Sequence, residues 1–186
     1  MAPDLVFPDV RLRGPRLVLR PLGADDVDDV ALACTDDITQ RWLPLPRPYT
    51  RQDASTFCGQ LAEQVRLDGR GLVRAIELHG RLVGVIDLKR PDRLVGSVEV
   101  GYWTAPWARG QGVMTEAVLT LTTWVLRDQG LQRVELRAAT GNTGSLRVAE
   151  KAGFQREGVL RRAGHTHDGP VDLVVLSRLA DDGPVG

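Results

Sequence analysis

Two closely spaced glycines stand directly before a helical pattern, in Arg109-Gly110-Gln111-Gly112-Val113-Met114-Thr115. Glycines at the start of a helix let successive backbone N–H groups point at one spot, and the helix N-terminus adds partial positive charge. A phosphate or pyrophosphate fits such a turn. The Walker pattern needs a Gly-Lys-Ser/Thr ending, and the dinucleotide fingerprint needs a third glycine where Thr115 stands. The segment therefore predicts a phosphate turn of neither type, or a glycine-softened turn without a ligand.

Glu99 is the candidate general base. It precedes Gly101 by two residues and Trp103 by four in a strand-like stretch, so the three share one sheet face unless a bulge intervenes. A carboxylate there could take a proton through water, or it could be a paired surface group. Glu116 lies at the start of the following helix, where the helix dipole alone explains an acidic residue.

A metal site is not predicted. His165, His167 and Asp168 lie close together, but no further ligands with suitable spacing appear.

The elements around the turn predict a crossover unit. Residues 97–103 form a strand, apolar residues then recur at helical spacing from Met114 to Gly130, and residues 133–138 alternate charged with apolar side chains. Strand, helix and strand in succession place the strands around Val98 and Val134 parallel in one sheet. Further strands are predicted at 17–21, 72–78, 81–88, 154–160 and 171–179, and further helices at 24–34, 54–67 and 143–152.

The predicted fold class is therefore α+β, with mixed α/β packing. About seven strands form a mixed, mostly antiparallel sheet with one central parallel pair, and about four helices flank it. Residues 42–49 contain three prolines between aromatic and apolar residues, which predicts an ordered loop. The chain, residues 1–186, is predicted to be one domain, with flexible ends at 1–10 and 181–186.

Composition excludes several partners. Lys plus Arg and Asp plus Glu number 24 each, so the net charge is zero and no global field favours nucleic acid or an anionic membrane. No apolar run approaches the roughly 20 residues that span a bilayer. The two cysteines form no C-x-x-C pair, and no secretory segment opens the chain. We expect a cytoplasmic protein, compatible with a monomer or a homodimer.

Several motifs together resemble one family. R/Q-x-x-G-x-G/A at a strand-to-helix turn is typical of the GNAT superfamily of N-acetyltransferases, and residues 109–114 look like it, with Met114 departing from the final small residue. The flanking residues 99–103 and 115–117 resemble the subgroup of ribosomal-protein N-terminal acetyltransferases (RimJ/RimL). Leu17-Val18-Leu19-Arg20-Pro21, Asn142-x-x-Ser145, Lys151-Ala152-Gly153-Phe154 and Gly169-Pro170-Val171-Asp172 resemble that subgroup as well.

The resemblance implies an acetyl-CoA site. Backbone amides of the turn would bind the pyrophosphate, which assigns that role to Arg109, Gly110, Gln111, Gly112, Val113, Met114 and Thr115. The pantetheine arm would pair with the backbone near Tyr102 and Trp103, in a splay between the two parallel strands. Asn142 would hydrogen-bond the arm, or it would only cap the following helix.

The resemblance also implies direct transfer to an amine. An amine attacks the thioester, an oxyanion forms and a thiolate leaves, so the site needs a base and an acid. Many relatives carry a Tyr as the acid, but the matching position here is Ala149. Ser145 is the predicted substitute and a coenzyme contact; the alternative is a solvated or capping serine.

The acceptor pocket and the acceptor are less defined. In such enzymes residues 161–169 shape the pocket, and Trp42 and Tyr49 either form another wall or cover the core. The predicted acceptor is a peptide N-terminus. The alternatives are the same chemistry on a small amine, such as an antibiotic, polyamine or amino acid, and a non-catalytic acetyl-CoA-binding regulatory module.

Overall fold

The computed structural model describes residues 6–183, within which eight strands and six α-helical segments lie. The strands are β1 (Leu12–Arg13), β2 (Leu17–Arg20), β3 (Gly71–Leu78), β4 (Arg81–Asp92), β5 (Ser97–Thr104), β6 (Arg133–Ala139), β7 (Gln155–Thr166) and β8 (Gly169–Leu179). The helices are α1 (Val27–Cys34), α2 (Asp37–Trp42), α3 (Arg51–Thr56), α4 (Ala62–Leu67), α5 (Val113–Arg127) and α6 (Thr143–Lys151). A π-helical segment, Phe57–Leu61, joins α3 to α4.

All eight strands form one sheet in the order β1-β2-β3-β4-β5-β6-β8-β7. Only β5 and β6 pair in parallel among the described strands, with Val98 opposite Val134, so the predicted crossover and its register are confirmed. The crossover helix α5 buries the apolar residues whose spacing predicted it, including Met114, Leu121 and Trp124. The mixed sheet with one parallel pair is thus as predicted.

Two apolar cores lie on opposite faces of the sheet. The larger one packs α5 and α6 against residues such as Ile86, Leu88 and Val100. The smaller one packs α1, α3 and α4 against Val73, Ala75 and Val85. Because side chains alternate along a strand, β4 and β5 present one set of residues to each core. The cores therefore hold the central strands from both sides.

The sequence missed one strand and one helix. β1 has only two residues, too few for a periodic pattern, which makes the sheet eight-stranded rather than about seven-stranded. α2 is a six-residue helix that ends at Trp42, where a loop was expected to begin. Its Asp36 N-cap accepts a hydrogen bond from the Thr39 amide at 3.0 Å, and this cap is the signal that sequence reasoning overlooked.

The last two strands are longer than predicted. β7 continues to Thr166, so most of the expected loop at 161–169 is hairpin strand, and the turn is confined to His167 and Asp168. Leu160 and Gly164 flank an irregularity in the pairing, and Arg162 within it has a left-handed φ of 50°. This irregularity obscured the strand period in the sequence.

The described part of the N-terminal segment packs on the fold. Phe7 is fully buried with its ring 5.9 Å from that of Trp124, and the buried Arg74 guanidinium donates to the Val10 carbonyl at 3.0 Å. Residues 6–10 thus contact the rest of the fold, while 1–5 and 184–186 lie outside the described residues, and the flexibility of the two ends stays a prediction. No helix within 6–183 is long and apolar enough to cross a membrane.

Candidate active site

The predicted phosphate turn has the backbone that its glycines suggested. Gly110 and Gly112 both have φ of 75°, in the left-handed region that favours glycine. The first hydrogen bond of α5 runs from the Glu116 amide to the Gly112 carbonyl at 3.1 Å. The amides of Val113, Met114 and Thr115 therefore precede any intrahelical acceptor, as at every helix start. This end of α5 presents N–H groups suited to an anion.

The Arg109 side chain is engaged elsewhere. Its guanidinium contacts Asp36 Oδ2 at 2.5 Å and Thr39 Oγ1 at 2.9 Å. The arginine lowers the pKa of the Asp36 carboxyl, since it stabilises the ionised form. The backbone amide of Arg109 is therefore the group available to an anion, because its side chain holds α2 beside the turn. The sequence did not point to Asp36.

A second arginine that the sequence did not single out braces the same turn. Arg16 donates through its amide and Nε to Glu116, each at 2.7 Å, and its guanidinium lies 3.4 Å from the Gln111 carbonyl. Glu116 also accepts from the Leu17 amide at 3.2 Å. The Glu116 carboxylate thus ties the start of β2 to α5, in keeping with the structural role predicted for it.

The parallel strands separate beside the turn. Pairing of β5 with β6 ends at Val100 and Leu136, whereas β5 stays paired with β4 through Thr104. One backbone edge of β5 from Gly101 onward, including Tyr102 and Trp103, therefore faces a cleft rather than β6. An extended ligand can pair with that edge as an added strand does.

Tyr102 and Ser145 meet in this cleft. The Tyr102 hydroxyl lies 3.0 Å from Ser145 Oγ and donates to the Ser145 carbonyl at 3.2 Å. Burial raises the pKa of Tyr102 to about 12, so the phenol keeps its proton at neutral pH. The pair is a hydroxyl relay that can donate a proton or a hydrogen bond.

Asn142 has the capping role that was weighed against ligand binding. Its Oδ1 accepts from the Ser145 amide at 3.1 Å, as the N-cap of α6. The residue also lines the cleft, so its amide NH₂ group can still face a ligand.

Ala149 and Met114 belong to the larger core. Ala149 has no exposed surface, while Ser145 and Val148 on the same helix line the cleft. A tyrosine at 149 would therefore have to displace core residues to reach the cleft. Met114 is 4% exposed and its terminal methyl approaches Gly84 in β4, so its bulk fills the core rather than blocking the turn.

Glu99 is buried and surrounded by cations. It is 6% exposed, and its carboxylate lies 2.8 Å from Arg90, 3.3 Å from Lys89 and 3.7 Å from Arg137. The structure brings it to the sheet face of Trp103, as the sequence predicted, but in an ion cluster rather than facing open solvent.

The aromatic residues near the first helices divide between two roles. Trp42 lines the cleft, and its ring approaches Gly141 across it, at 3.2 Å from where a Cβ would stand. Tyr49 instead packs on the smaller core. His165 lines the cleft from the β7–β8 hairpin. Within 6–183 no cluster of three or more His, Cys, Asp or Glu side chains could hold a metal.

The cleft has a volume of about 580 Å³ and a cationic wall. Its described lining includes no Asp or Glu, but it includes the cations Lys89, Arg109, Arg137, Arg147 and Lys151. Arg109 is paired with Asp36, and Lys89 and Arg137 contact Glu99, so it is mainly Arg147 and Lys151 on α6 that favour a negatively charged ligand. A nucleotide with phosphates at the turn and an extended arm along β5 fits this geometry.

Comparison with known proteins matches the model of the acetyltransferase (GNAT) domain to residues 16–155. A putative ribosomal N-acetyltransferase of Bacillus subtilis, YdaF, is 35% identical over 112 residues, 60% of this chain and 61% of that protein. The ribosomal-protein-serine acetyltransferase of Escherichia coli is 29% identical over 119 residues, 63% of this chain and 66% of that one. The chain thus aligns with less than two thirds of the length of either relative.

The fold also matches solved structures over nearly their whole length. The Mycobacterium smegmatis RimJ structure, in complex with CoA-disulfide, has a TM-score of 0.84 at 24% identity, and the match covers 99% of this chain and 92% of that one. At this identity the likeness is one of fold.

Proposed function

Because the chain belongs to the GNAT acetyltransferase family, we propose that it transfers an acetyl group from acetyl-CoA to a primary amine. The observation that carries the proposal is the separation of β5 from β6 directly beside the amide-rich start of α5. This arrangement offers one site for phosphates and, next to it, an unpaired strand edge for an extended arm.

In this proposal the turn binds the pyrophosphate through its main chain. The amides from Arg109 to Thr115 lie at the N-terminal start of α5. Glycine at 110 and 112 permits the left-handed backbone that directs these amides towards an anion. Tyr102 and Trp103 offer backbone groups to the pantetheine arm, and Asn142 offers its amide NH₂. The cations Arg147 and Lys151 on α6 complement the negative charge of the coenzyme.

Ser145 is the proposed proton donor to the leaving sulfur. The amine nitrogen forms a bond to the acetyl carbon, the carbon–sulfur bond breaks, and the sulfur leaves with its electron pair. The Ser145 hydroxyl can then give its proton to the thiolate and recover one from Tyr102, 3.0 Å away. No covalent enzyme intermediate is needed.

The role of Glu99 as base stays a prediction. The carboxylate lies on the predicted sheet face, and Lys89, Arg90 and Arg137 lie within 4 Å of it.

The proposed acceptor is the α-amino group of a protein or peptide. The Escherichia coli relative is named for acetylation of a ribosomal protein, which supports a protein acceptor for this chain. The cleft wall at Trp42 and His165 is the proposed place for the acceptor, because both residues lie outside the phosphate turn.

Release of free thiol from acetyl-CoA tests the proposal. Purified protein is incubated with acetyl-CoA and one amine in each reaction. The amines are peptides with free N-termini, polyamines, aminoglycosides and amino acids. We expect thiol release with peptides, matched by acetylated product in the mass spectrum. Turnover of small amines but not of peptides would show that the acceptor is a small amine. Binding of acetyl-CoA without turnover of any amine would favour the regulatory module.

A further inference from the structure

A second carboxylate near the cleft lies on the sheet face opposite the larger core. Asp87 in β4 alternates with Ile86 and Leu88 of the larger core, so it shares the opposite face with Val85. Its partner across the ladder is Gly101 in β5, the first residue beyond the last β5–β6 pair. Asp87 therefore lies beside Gly101, where the cleft begins, although it is not itself part of the described cleft lining.

Gly101 leaves room for this carboxylate. A Cβ at Gly101 would lie 2.7 Å from Asp87 Oδ1 and 2.9 Å from Lys89 Nζ, closer than real contacts allow. Gly101 and Lys89 both line the cleft. The Asp87 carboxylate thus lies against the Gly101 backbone, where a larger residue at 101 would displace it.

The charges around Asp87 come from its own strand and from the next two strands. Lys89 of β4 lies 3.3 Å from Glu99 of β5. Arg90 of β4 and Arg137 of β6 also contact Glu99. Burial raises the pKa of Asp87; the charge of Lys89 lowers it, and the smaller influence of the negative charge of Glu99 raises it. A carboxylate with a raised pKa is matched to proton transfer near neutral pH.

The backbone favours this division of roles. Arg90 has a left-handed φ of 52° at the irregularity between Lys89 and Asp92, an uncommon conformation for a residue with a side chain. The bend places its guanidinium on Glu99. The cation cluster on Glu99 thus includes a residue at an irregular point of β4, together with Lys89, which lies near Asp87.

We propose that Asp87 accepts the proton that the attacking amine loses, and that Glu99 is a positioning residue that keeps Lys89 from neutralising Asp87. The inference rests on the proposed function. As the nitrogen–carbon bond forms, one N–H proton moves through one water to an Asp87 carboxylate oxygen. It then passes to solvent, while the departing sulfur receives its proton from the Ser145 side of the cleft.

Asp87→Asn and Glu99→Gln separate the two carboxylates. Each is compared with wild type in kcat and kcat/KM against pH, with the same peptide acceptor so that the amine contributes the same ionisation throughout. We expect Asp87→Asn to lower kcat at pH 7 by about 10²-fold, the order of general-base effects, with unchanged coenzyme affinity. In wild type, kcat should fall towards low pH as Asp87 becomes protonated, which gives the acidic limb of the kcat profile. The variant should lose this limb.

Glu99→Gln should keep that limb and move it to lower pH. Removal of the Glu99 charge, and release of Lys89 towards Asp87, both lower the pKa of Asp87. Asp87→Glu, which restores the carboxylate, should recover part of kcat and the limb.

Two results would overturn the inference while wild type still turns over: an Asp87→Asn kcat within threefold of wild type, or an acidic limb that disappears in Glu99→Gln and persists in Asp87→Asn. A wild-type protein that releases no thiol with any amine would instead remove the proposed function itself. Thermal unfolding midpoints of the variants identify loss of fold as a separate cause.

Discussion

Ser145 illustrates what a motif conveys and what packing adds. Its place at the start of a short helix was predicted from Asn142-x-x-Ser145 in the sequence, and the helix and its cap are confirmed. The Tyr102 hydroxyl beside it could not be predicted, because the contact joins residues 43 positions apart across two elements. A hydrogen bond of this kind depends on the register of β5 and the angle of α6, which no local pattern encodes.

The prediction for this pair concerns kcat. Ser145→Ala should lower kcat by about one to two decades with little change in coenzyme affinity, since the interaction is made in the transition state. Tyr102→Phe should lower kcat less, because water can replace a second-step donor. The control is Ser177→Ala. Ser177 lies on β8 and its hydroxyl donates to Glu157 on β7, so its removal is expected to keep wild-type kcat. Steady-state kinetics with saturating acetyl-CoA measures kcat for each variant. Equal kcat in Ser145→Ala and wild type would contradict the role of Ser145 as proton donor.

At the scale of elements, the crossover around α5 could be predicted closely. A 15-residue helix with apolar residues at helical spacing, between two strands, leaves little choice of topology. α2 was missed because six residues give less than two turns of period, and the hairpin was shortened because an irregularity interrupts β7. Long periodic elements are therefore predictable here, whereas short or irregular ones depend on contacts with distant residues such as Arg109.

The turn before α5 yields a prediction with a matched control. Gly112→Val should weaken binding of coenzyme A, because a β-branched residue resists a φ of 75° and the amides lose their aim. Gly130 beyond the other end of α5 has a similar φ of 68° and open space around it. Gly130→Val should thus cost comparable stability, about 1–2 kcal/mol for a left-handed conformation, without loss of binding.

Isothermal titration calorimetry with coenzyme A and thermal unfolding of both variants make the comparison. Equal coenzyme affinity in Gly112→Val and Gly130→Val would contradict the assignment of the turn.

At the scale of the whole molecule, neutrality conceals an uneven distribution of charge. Lys plus Arg equals Asp plus Glu along the chain, yet the described cleft lining carries five Lys and Arg side chains and no carboxylate. The sequence predicted local recognition from its zero net charge but not the sign of the cleft, since Lys89 and Arg147 come from distant elements. Their convergence follows from the order of β4, β5 and β6 in the sheet and from α6 packing beside them.

The protonation state of the acceptor also bears on which amines can react. Only a neutral amine attacks a thioester, because the nitrogen of an ammonium group has no free electron pair. A peptide α-amino group has a pKa of about 7.7–8.0 and a lysine side chain about 10.4, so at pH 7 the neutral fraction of the α-amino group is larger by more than two orders of magnitude. We therefore predict that the protein prefers α-amino groups over lysine side chains.

A matched pair of peptides tests this preference, one with a free N-terminus and no lysine, the other N-terminally blocked and carrying one lysine. The ratio of their kcat/KM values should be large at pH 7 and should shrink as the pH rises towards 10, because the lysine amine then loses its proton while the α-amino group is already neutral. Equal or faster turnover of the lysine peptide at pH 7 would reject the claim, because it would require a site that removes a proton from the bound lysine ammonium group before attack.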